Sequence, residues 1–501
     1  MASFSSLQIS LISLVLLIIL INLLRIKWIS FHSNNKKNFP PSPRKLPIIG
    51  NFHQLGSSPN QSLQLLAQKH GPIMLLHFGS TPMLVASSAE VAREILKTHD
   101  LSFSSRPSLT IPNILLYGCK DVAFAPYGEY WRQLKSTVVV HLLSSTRVRS
   151  FQQVREKEIS RMISMLEDSH GSLVDIGSLL ISLTNNIICR VAVGRAYDGS
   201  KLTDILCRLL HMFTVFSVGS YIPWLKWVDR VSGLEGKAKK VAQEFDEFIE
   251  DIIEEHLNNK KSANEVQDLV DILLDVQRDN TIDFNFHRDT LKAVILNMFL
   301  AGTDTTYTSL QWTIAELIKH PRVMKKLQKE ATEIAKGRSM IVEEDLEKME
   351  YLKAVIKESL RLHPPVPLLV PRISTQDVKL KGYDIPKGTQ VIINAWAIGR
   401  DPDIWKQESE DFMPERFFKS LIDYNGVNFE WLPFGGGRRK CSGIQFGVVI
   451  MELALANLVY KFDLTLPNGA KREDLDMSEE FGIVLHMKSS PKVMATPRAT
   501  Y

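Results

Sequence analysis

The chain begins with a continuous apolar run, Leu7–Leu24, without charge and with only Gln8, Ser10, Ser13 and Asn22 as polar interruptions. As a helix its 18 residues span about 27 Å, close to one bilayer core. After Pro40-Pro41-Ser42-Pro43 the pattern changes to short alternations and longer periodic stretches. Ile73–Phe78 and Met83–Ala86 predict two strands joined by Gly79-Ser80-Thr81-Pro82. Ser88 predicts the cap of a helix running to about Thr98. Phe245–His256 sets apolar residues at helical spacing among acids, the pattern of a solvated amphipathic helix. Asp289–His320 runs 32 residues without proline, and Pro321 ends it; as a helix it is about 48 Å long. Gly382 and Pro386-Lys387-Gly388 punctuate β-rich segments around a strand at Val391–Ile393, and Phe446–Tyr460 predicts an apolar helix. The class is mainly α with small β-sheets, and there is no internal repeat.

Composition changes that picture in two places. The net charge of +5 over 501 residues is small, which argues against nucleic-acid binding. Arg25, Lys27, Lys36 and Lys37, with no acid among the first 39 residues, account for four of those charges. The basic excess therefore flanks the apolar run. A cleaved signal peptide carries its cations before the run; here they follow it. This predicts a retained membrane anchor at 1–25, a basic and proline-rich hinge at 26–44, and one large domain at 45–501. The positive-inside rule places that domain in the cytoplasm, with Trp28 and Phe31 at the interface. Four cysteines exclude a disulfide scaffold. Cys119, Cys189 and Cys207 read as buried apolar residues, and the sequon at Asn60 is expected to stay unused on this side of the membrane.

Two segments carry candidate chemistry. Ala301-Gly302-Thr303-Asp304-Thr305-Thr306 sits in the middle of the long predicted helix, yet glycine and threonine are poor helix formers. Local rule-breaking inside good helix points to a site. Small Ala301 and Gly302 let a flat group approach, while Asp304 and Thr305 offer groups for proton movement. The plainer reading is a kink with threonines bonded one turn back. The second segment is Pro433-Phe434-Gly435-Gly436-Gly437-Arg438-Arg439-Lys440-Cys441-Ser442-Gly443. Three glycines, three cations and the start of a helix favour a thiolate at Cys441. A phosphate loop, a basic surface patch and a buried cysteine remain open alternatives. Zinc lacks a second ligand at suitable spacing, whereas a lone thiolate suits a haem iron.

Phe434, Gly437, Arg439, Cys441 and Gly443 resemble the haem-thiolate motif of cytochrome P-450 enzymes. Ala301-Gly302 with Asp304-Thr305 is similar to that family's oxygen-activation motif. Glu358-Ser359-Leu360-Arg361, Pro414-Glu415-Arg416-Phe417 and Trp131-Arg132 with Lys135 are similar to its further motifs, in family order. AGTDTTYT and RLHPPVPLLVPR are similar to plant A-type members.

The resemblance implies a cytochrome P-450 fold, a single haem domain behind an N-terminal transmembrane helix, at the endoplasmic reticulum. It implies haem b held by Cys441 on the iron, with Trp131, Arg132, Ala301, Arg372, Phe434, Arg439 and Gly443 around the cofactor. Asp304 and Thr305 would be catalytic: Thr305 holding dioxygen or a water, Asp304 feeding protons. Glu358, Arg361 and Arg416 would form a structural network. Electrons would come from NADPH through NADPH-cytochrome P-450 reductase, with cytochrome b5 as a further partner and Arg438 and Lys440 on the docking side.

Ala301, Val366, Val370 and Ile483 would line an apolar pocket for a small lipophilic plant metabolite of terpenoid, phenylpropanoid or alkaloid type. The implied reaction is insertion of one oxygen atom from dioxygen. The rivals are dehydration or rearrangement on the same fold, as in aldoxime dehydratases, and a non-catalytic membrane haem-binding protein. Many plant relatives have proline where this chain has Ser442; the expectation is that Ser442 adds a hydrogen bond near the sulfur and raises the iron potential. Lys135 stands where many relatives have arginine.

Overall fold

The computed structural model describes residues 37–169, 172–196, 200–259, 266–278, 286–406 and 408–498. The predicted anchor at 1–25 and Arg25–Lys36 lie outside them. The proline segment does not hang free: Pro40 and Pro43 are buried, the Leu75 N–H donates to the Pro41 carbonyl at 3.0 Å, and Asn38 and Asp384 exchange hydrogen bonds at 2.8 and 2.6 Å. Stiff prolines thus reach the body already tied to its sheet.

The helices that build the site are α1 (Glu129–Thr137), α2 (Ile176–Val193), α3 (Ser200–Thr214), α4 (Arg288–Lys319), α5 (Glu350–Leu362) and α6 (Ile444–Lys461). The strands used below are β1 (Ile73–Phe78), β2 (Thr81–Ala86), β3 (Arg372–Ile373), β4 (Gln390–Ile393), β5 (Glu479–Glu480) and β6 (His486–Met487). β1, β2, β4 and β3 form one sheet in that order, with β2 parallel to β4 and the other pairs antiparallel. The predicted turn at 79–82 is shorter than expected. Thr81 and Pro82 already pair with Phe78 and His77, leaving Gly79 at φ 60° with Ser80 as the turn. Ser88 caps its helix as predicted, accepting from the Val91 N–H at 3.4 Å.

α4 is 32 residues long and unbroken, with α2, α5 and α6 packed along it. Most of its residues are buried on all sides, which explains why its sequence is apolar without one clear face. The acidic helix extends beyond its predicted span to Leu234–Asn258, burying Phe245, Ile249, Ile252 and Ile253.

One buried polar network holds the chain that leads to the cysteine loop. Glu358 and Arg361, one turn apart on α5, are both almost completely buried. Arg361 grips Glu358 at 2.7 and 2.8 Å and donates to the carbonyls of Gly399, Ser409 and Asp411 at 2.6, 2.6 and 3.0 Å. Glu358 also accepts from the Met413 N–H at 2.8 Å and faces Arg416 Nε at 3.5 Å. Every partner beyond α5 lies in the segment between residues 399 and 416, so the network fixes that irregular stretch. Arg361→Ala strips the buried Glu358 of its bidentate partner, leaving only Arg416 Nε at 3.5 Å and the Met413 N–H, and should cost about 3–5 kcal/mol. Chemical denaturation checks this; an unchanged midpoint contradicts it.

Candidate active site

The cysteine loop is shaped by glycine. Gly435 and Gly437 have φ of 66° and 65°, and a Cβ at Gly437 would meet the Leu96 carbonyl oxygen at 2.4 Å. The Cys441 N–H donates to the Phe434 carbonyl at 3.1 Å, and the Gly443 N–H donates to Cys441 Sγ at 3.3 Å. Phe434 rests edge-on against Tyr424, 5.4 Å between centroids. The sulfur therefore receives its N–H from Gly443. Ser442 makes no hydrogen bond to it, which corrects the expectation placed on Ser442.

The neighbouring cations do less for the thiol than the sequence suggested. Burial pushes the Cys441 thiol up, opposed by the Gly443 N–H and then by Lys135 and Lys440. Arg438 turns outward to Asp100 at 3.5 Å, and Arg439 turns inward among carbonyls. A desolvated thiol becomes a thiolate when a metal ion binds it. Cys441 nevertheless has accessible surface, and so does Ala301, midway along a buried helix. We read both as facing an internal hollow.

α4 presents a stripe of accessible positions, Asn297, Ala301 and Thr305, four residues apart. Thr305 Oγ1 donates to the Ala301 carbonyl at 2.7 Å, and Ser309 Oγ to the Thr305 carbonyl at 2.7 Å. The back-bonded threonine is therefore real, but it does not break the helix. Gly302 lies off the stripe. A Cβ there would meet Ile188 Cδ1 of α2 at 2.5 Å, so this glycine serves helix packing. Asp304 is buried, 3.5 Å from His486 Nε2. A Cβ placed at Gly447 of α6 would lie 3.7 Å from Thr306 Oγ1, which sets the helix that follows Cys441 against this part of α4.

Beside the loop, three arginines are buried together: Arg106, Arg372 and Arg439. Arg439 donates to the carbonyls of Ser104, Val122 and Ala125 and lies 4.0 Å above the Trp131 ring. Arg372 reaches Asp100 at 3.3 Å and the Gly436 carbonyl at 2.8 Å. Arg106 donates to Ala123, Val370 and Pro371. Burial, followed by repulsion from Arg372, lowers Arg439 to about 9; burial lowers Arg372 to about 10. Lys135 falls to about 8 through burial and then Arg439, with its Nζ on the Arg438 and Lys440 carbonyls. Such a cluster favours an anion, and the two carboxylates of haem are of that kind. With the sulfur and the hollow, these residues fit haem.

Trp131 has its indole N–H committed to the Val122 carbonyl at 2.9 Å. Arg132 is exposed, 5.9 Å from the Tyr127 ring, and is not brought into the cluster. Arg106 was missed in the sequence, where a single arginine in Ser-Ser-Arg-Pro carries no signal. Val366, Val370 and Ile483 are partly buried apolar residues. Cys207 on α3 is exposed, against expectation, while Cys189 is buried and Cys119 intermediate.

A family model described as Cytochrome P450 matches residues 40–492. Cytochrome P450 Tp4149 of Tanacetum parthenium is 64% identical over 473 residues, 94% of this chain and 95% of that protein. A 3-beta-hydroxylase of the same plant is 52% identical, covering 99% of this chain and 100% of its own. A norfluorocurarine oxidase from Strychnos sp is 50% identical, covering 90% and 91%. A zebrafish cytochrome P450 solved with abiraterone superposes with a TM-score of 0.75 at 27% identity, over 88% of this chain and 100% of that one.

Two measurements test this geometry. Ser442→Pro removes an N–H that does not reach the sulfur, so the haem-loaded variant should keep the wild-type potential; a lowered potential contradicts this. The second uses the haem-free chain. Lys135 titrates at about 8 when folded and at about 10.4 when unfolded. The unfolded state then binds more protons between these values, and stability rises with pH through that window. Lys135→Met should remove its share of the rise, read from urea midpoints; identical slopes in both proteins contradict it.

Proposed function

The chain belongs to the cytochrome P450 family, and from its site we propose a monooxygenase that inserts one oxygen atom from dioxygen into a small lipophilic plant metabolite. The observation that carries this reading is a cysteine with accessible surface on a glycine loop beside a buried cationic cluster, together with accessible Ala301 and Thr305 in the middle of the buried α4. When bound, haem supplies reductive activation of dioxygen next to a C–H bond.

Cys441 is the proximal ligand in this reading, and the Gly443 N–H tempers its charge. Arg372, Arg439 and Lys135 receive the haem carboxylates in charge-assisted bonds. Trp131, with its N–H already committed, acts as a platform under Arg439. Phe434 fixes the loop through its carbonyl. Thr305 spends its hydrogen on the Ala301 carbonyl, which leaves oxygen lone pairs free to accept from a water or a protonated oxygen in the hollow. Asp304 holds the proton supply next in sequence. The small side chain of Ala301 leaves room for substrate.

The overall change is that a C–H bond, dioxygen, NADPH and a proton give a C–OH group, water and NADP+. NADPH-cytochrome P-450 reductase delivers the electrons, with cytochrome b5 as a second donor, and the endoplasmic reticulum membrane carries the anchor. Arg438 and Lys440 lie on the cysteine side of the hollow and steer an acidic partner. The partly buried apolar Val366, Val370 and Ile483 support a terpenoid, phenylpropanoid or alkaloid type of substrate. The names of two similar proteins, a hydroxylase and an oxidase, favour oxidation over dehydration.

The test is a substrate screen in microsomes with reductase and NADPH under isotopically labelled dioxygen, read by mass spectrometry. Products should carry one labelled oxygen and require NADPH. Product formed without NADPH or label assigns the dehydration or rearrangement chemistry instead. Thr305→Ala should lower product per NADPH by about tenfold, the scale of one hydrogen bond to charge.

A further inference from the structure

Asp304 has a specific partner outside the motif that predicts it. Its carboxylate is buried, and Oδ2 lies 3.5 Å from His486 Nε2, within ion-pair range. The other ring nitrogen, Nδ1, meets Tyr307 Oη at 2.8 Å and Thr308 Oγ1 at 3.0 Å. A carboxylate accepts and two hydroxyls can donate, so Nε2 carries the hydrogen and Nδ1 accepts. The imidazole also stacks on the Tyr307 ring at 5.7 Å and 19°. The phenol is itself held protonated, first by burial and then by the Asp304 charge.

His486 is not a loosely placed surface residue. It starts β6, whose hairpin with β5 is stitched to the core. Trp312 of α4 donates to the Leu485 carbonyl at 2.9 Å, and the Leu485 N–H donates to Pro365 at 2.8 Å. Its side chain is 29% accessible, against 4% for Asp304. The histidine therefore links accessible surface to a buried acid one residue from Thr305. The titratable groups near it are few. Asp304 and Tyr307 face it from α4, and Glu480 lies opposite in the β5–β6 register. Cys207 of α3 lies beyond Asp304 and feels its charge.

We propose that His486 is the positioning residue for Asp304, holding the buried carboxylate in place and supplying its protons from the accessible side of the β5–β6 hairpin. Nδ1 takes a proton from solvent through the Tyr307 or Thr308 hydroxyl, which loses one proton and regains one, and the ring becomes an imidazolium. The imidazolium then gives its Nε2 proton to Asp304 Oδ2 and is left neutral with its hydrogen on Nδ1; exchange with solvent at the accessible ring returns it to the Nε2–H form. No electrons move. The inference rests on the oxygen-activating reading of the site, because it concerns protons consumed there.

The test needs no organic substrate. Full-length haem-loaded protein in vesicles with reductase consumes NADPH and dioxygen, and the products are peroxide or water. Forming peroxide takes one NADPH and one further proton per dioxygen; forming water takes two of each. Impaired proton supply therefore raises the peroxide fraction. His486→Phe keeps a ring against Tyr307 but no donor, and should raise the peroxide-to-water ratio by about tenfold, the loss of one charge-assisted hydrogen bond. His486→Gln keeps an N–H that does not titrate. It should recover part of the water yield and make the peroxide-to-water ratio less dependent on pH than in the wild type. A His486→Phe holoprotein with an intact thiolate-type carbon monoxide band and an unchanged ratio overturns the inference alone. If that variant fails to take up haem, a His486→Gln pH profile matching the wild type overturns it. A wild-type protein without the thiolate-type band overturns the reading of the site as well.

Discussion

A sulfur that is desolvated but must carry negative charge sets the terms for the site. Burial raises the Cys441 thiol, and one N–H with two ammonium groups does not reverse this. The sulfur sits on a glycine loop, and in the proposed reading a bound iron would complete the ionisation. The approach of α6 to α4 at Gly447 and Thr306, and the tight contact of Gly437 with Leu96, follow from holding that loop still.

The same region bears an electrostatic strain of its own. Arg106, Arg372 and Arg439 are buried near one another; burial weakens the hold of all three on a proton, and repulsion adds to it at Arg106 and Arg439. Arg372 is paired with Asp100, while Arg106 and Arg439 donate to backbone carbonyls, which satisfy their donors but not their charge. In the proposed reading the haem carboxylates would relieve that excess, which would couple cofactor binding to stability. The Glu358–Arg361 pair plays a different part. It is fully internal; Arg361 donates to the carbonyls of Gly399, Ser409 and Asp411 and Glu358 accepts from the Met413 N–H, which fixes the stretch that leads toward the loop.

Much of this was legible in the sequence, for identifiable reasons. The long helix could be read from its freedom from proline, and the loop from glycine and cysteine chemistry that leaves few uses. What stayed hidden depends on contacts distant in sequence. Gly302 looked like room for a cofactor, but Ile188 of another helix decides what it faces. Ser442 drew attention as a departure from the relatives, while its neighbour Gly443 supplies the hydrogen bond. Arg132 sits beside Trp131, but helical geometry turns it outward, and Lys135, one turn on, points to the loop carbonyls. His486 lies 182 positions beyond Asp304, and no local pattern announces it.

The central claim is that Cys441 is the ligand of a haem held in this hollow. The most direct measurement is the carbon monoxide spectrum of the reduced protein, wild type beside Cys441→Ser, at equal haem content. The wild type should show the thiolate-type band and the serine variant should lose it, because a serine hydroxyl is not ionised near neutral pH. The same thiolate-type band in both would contradict the account.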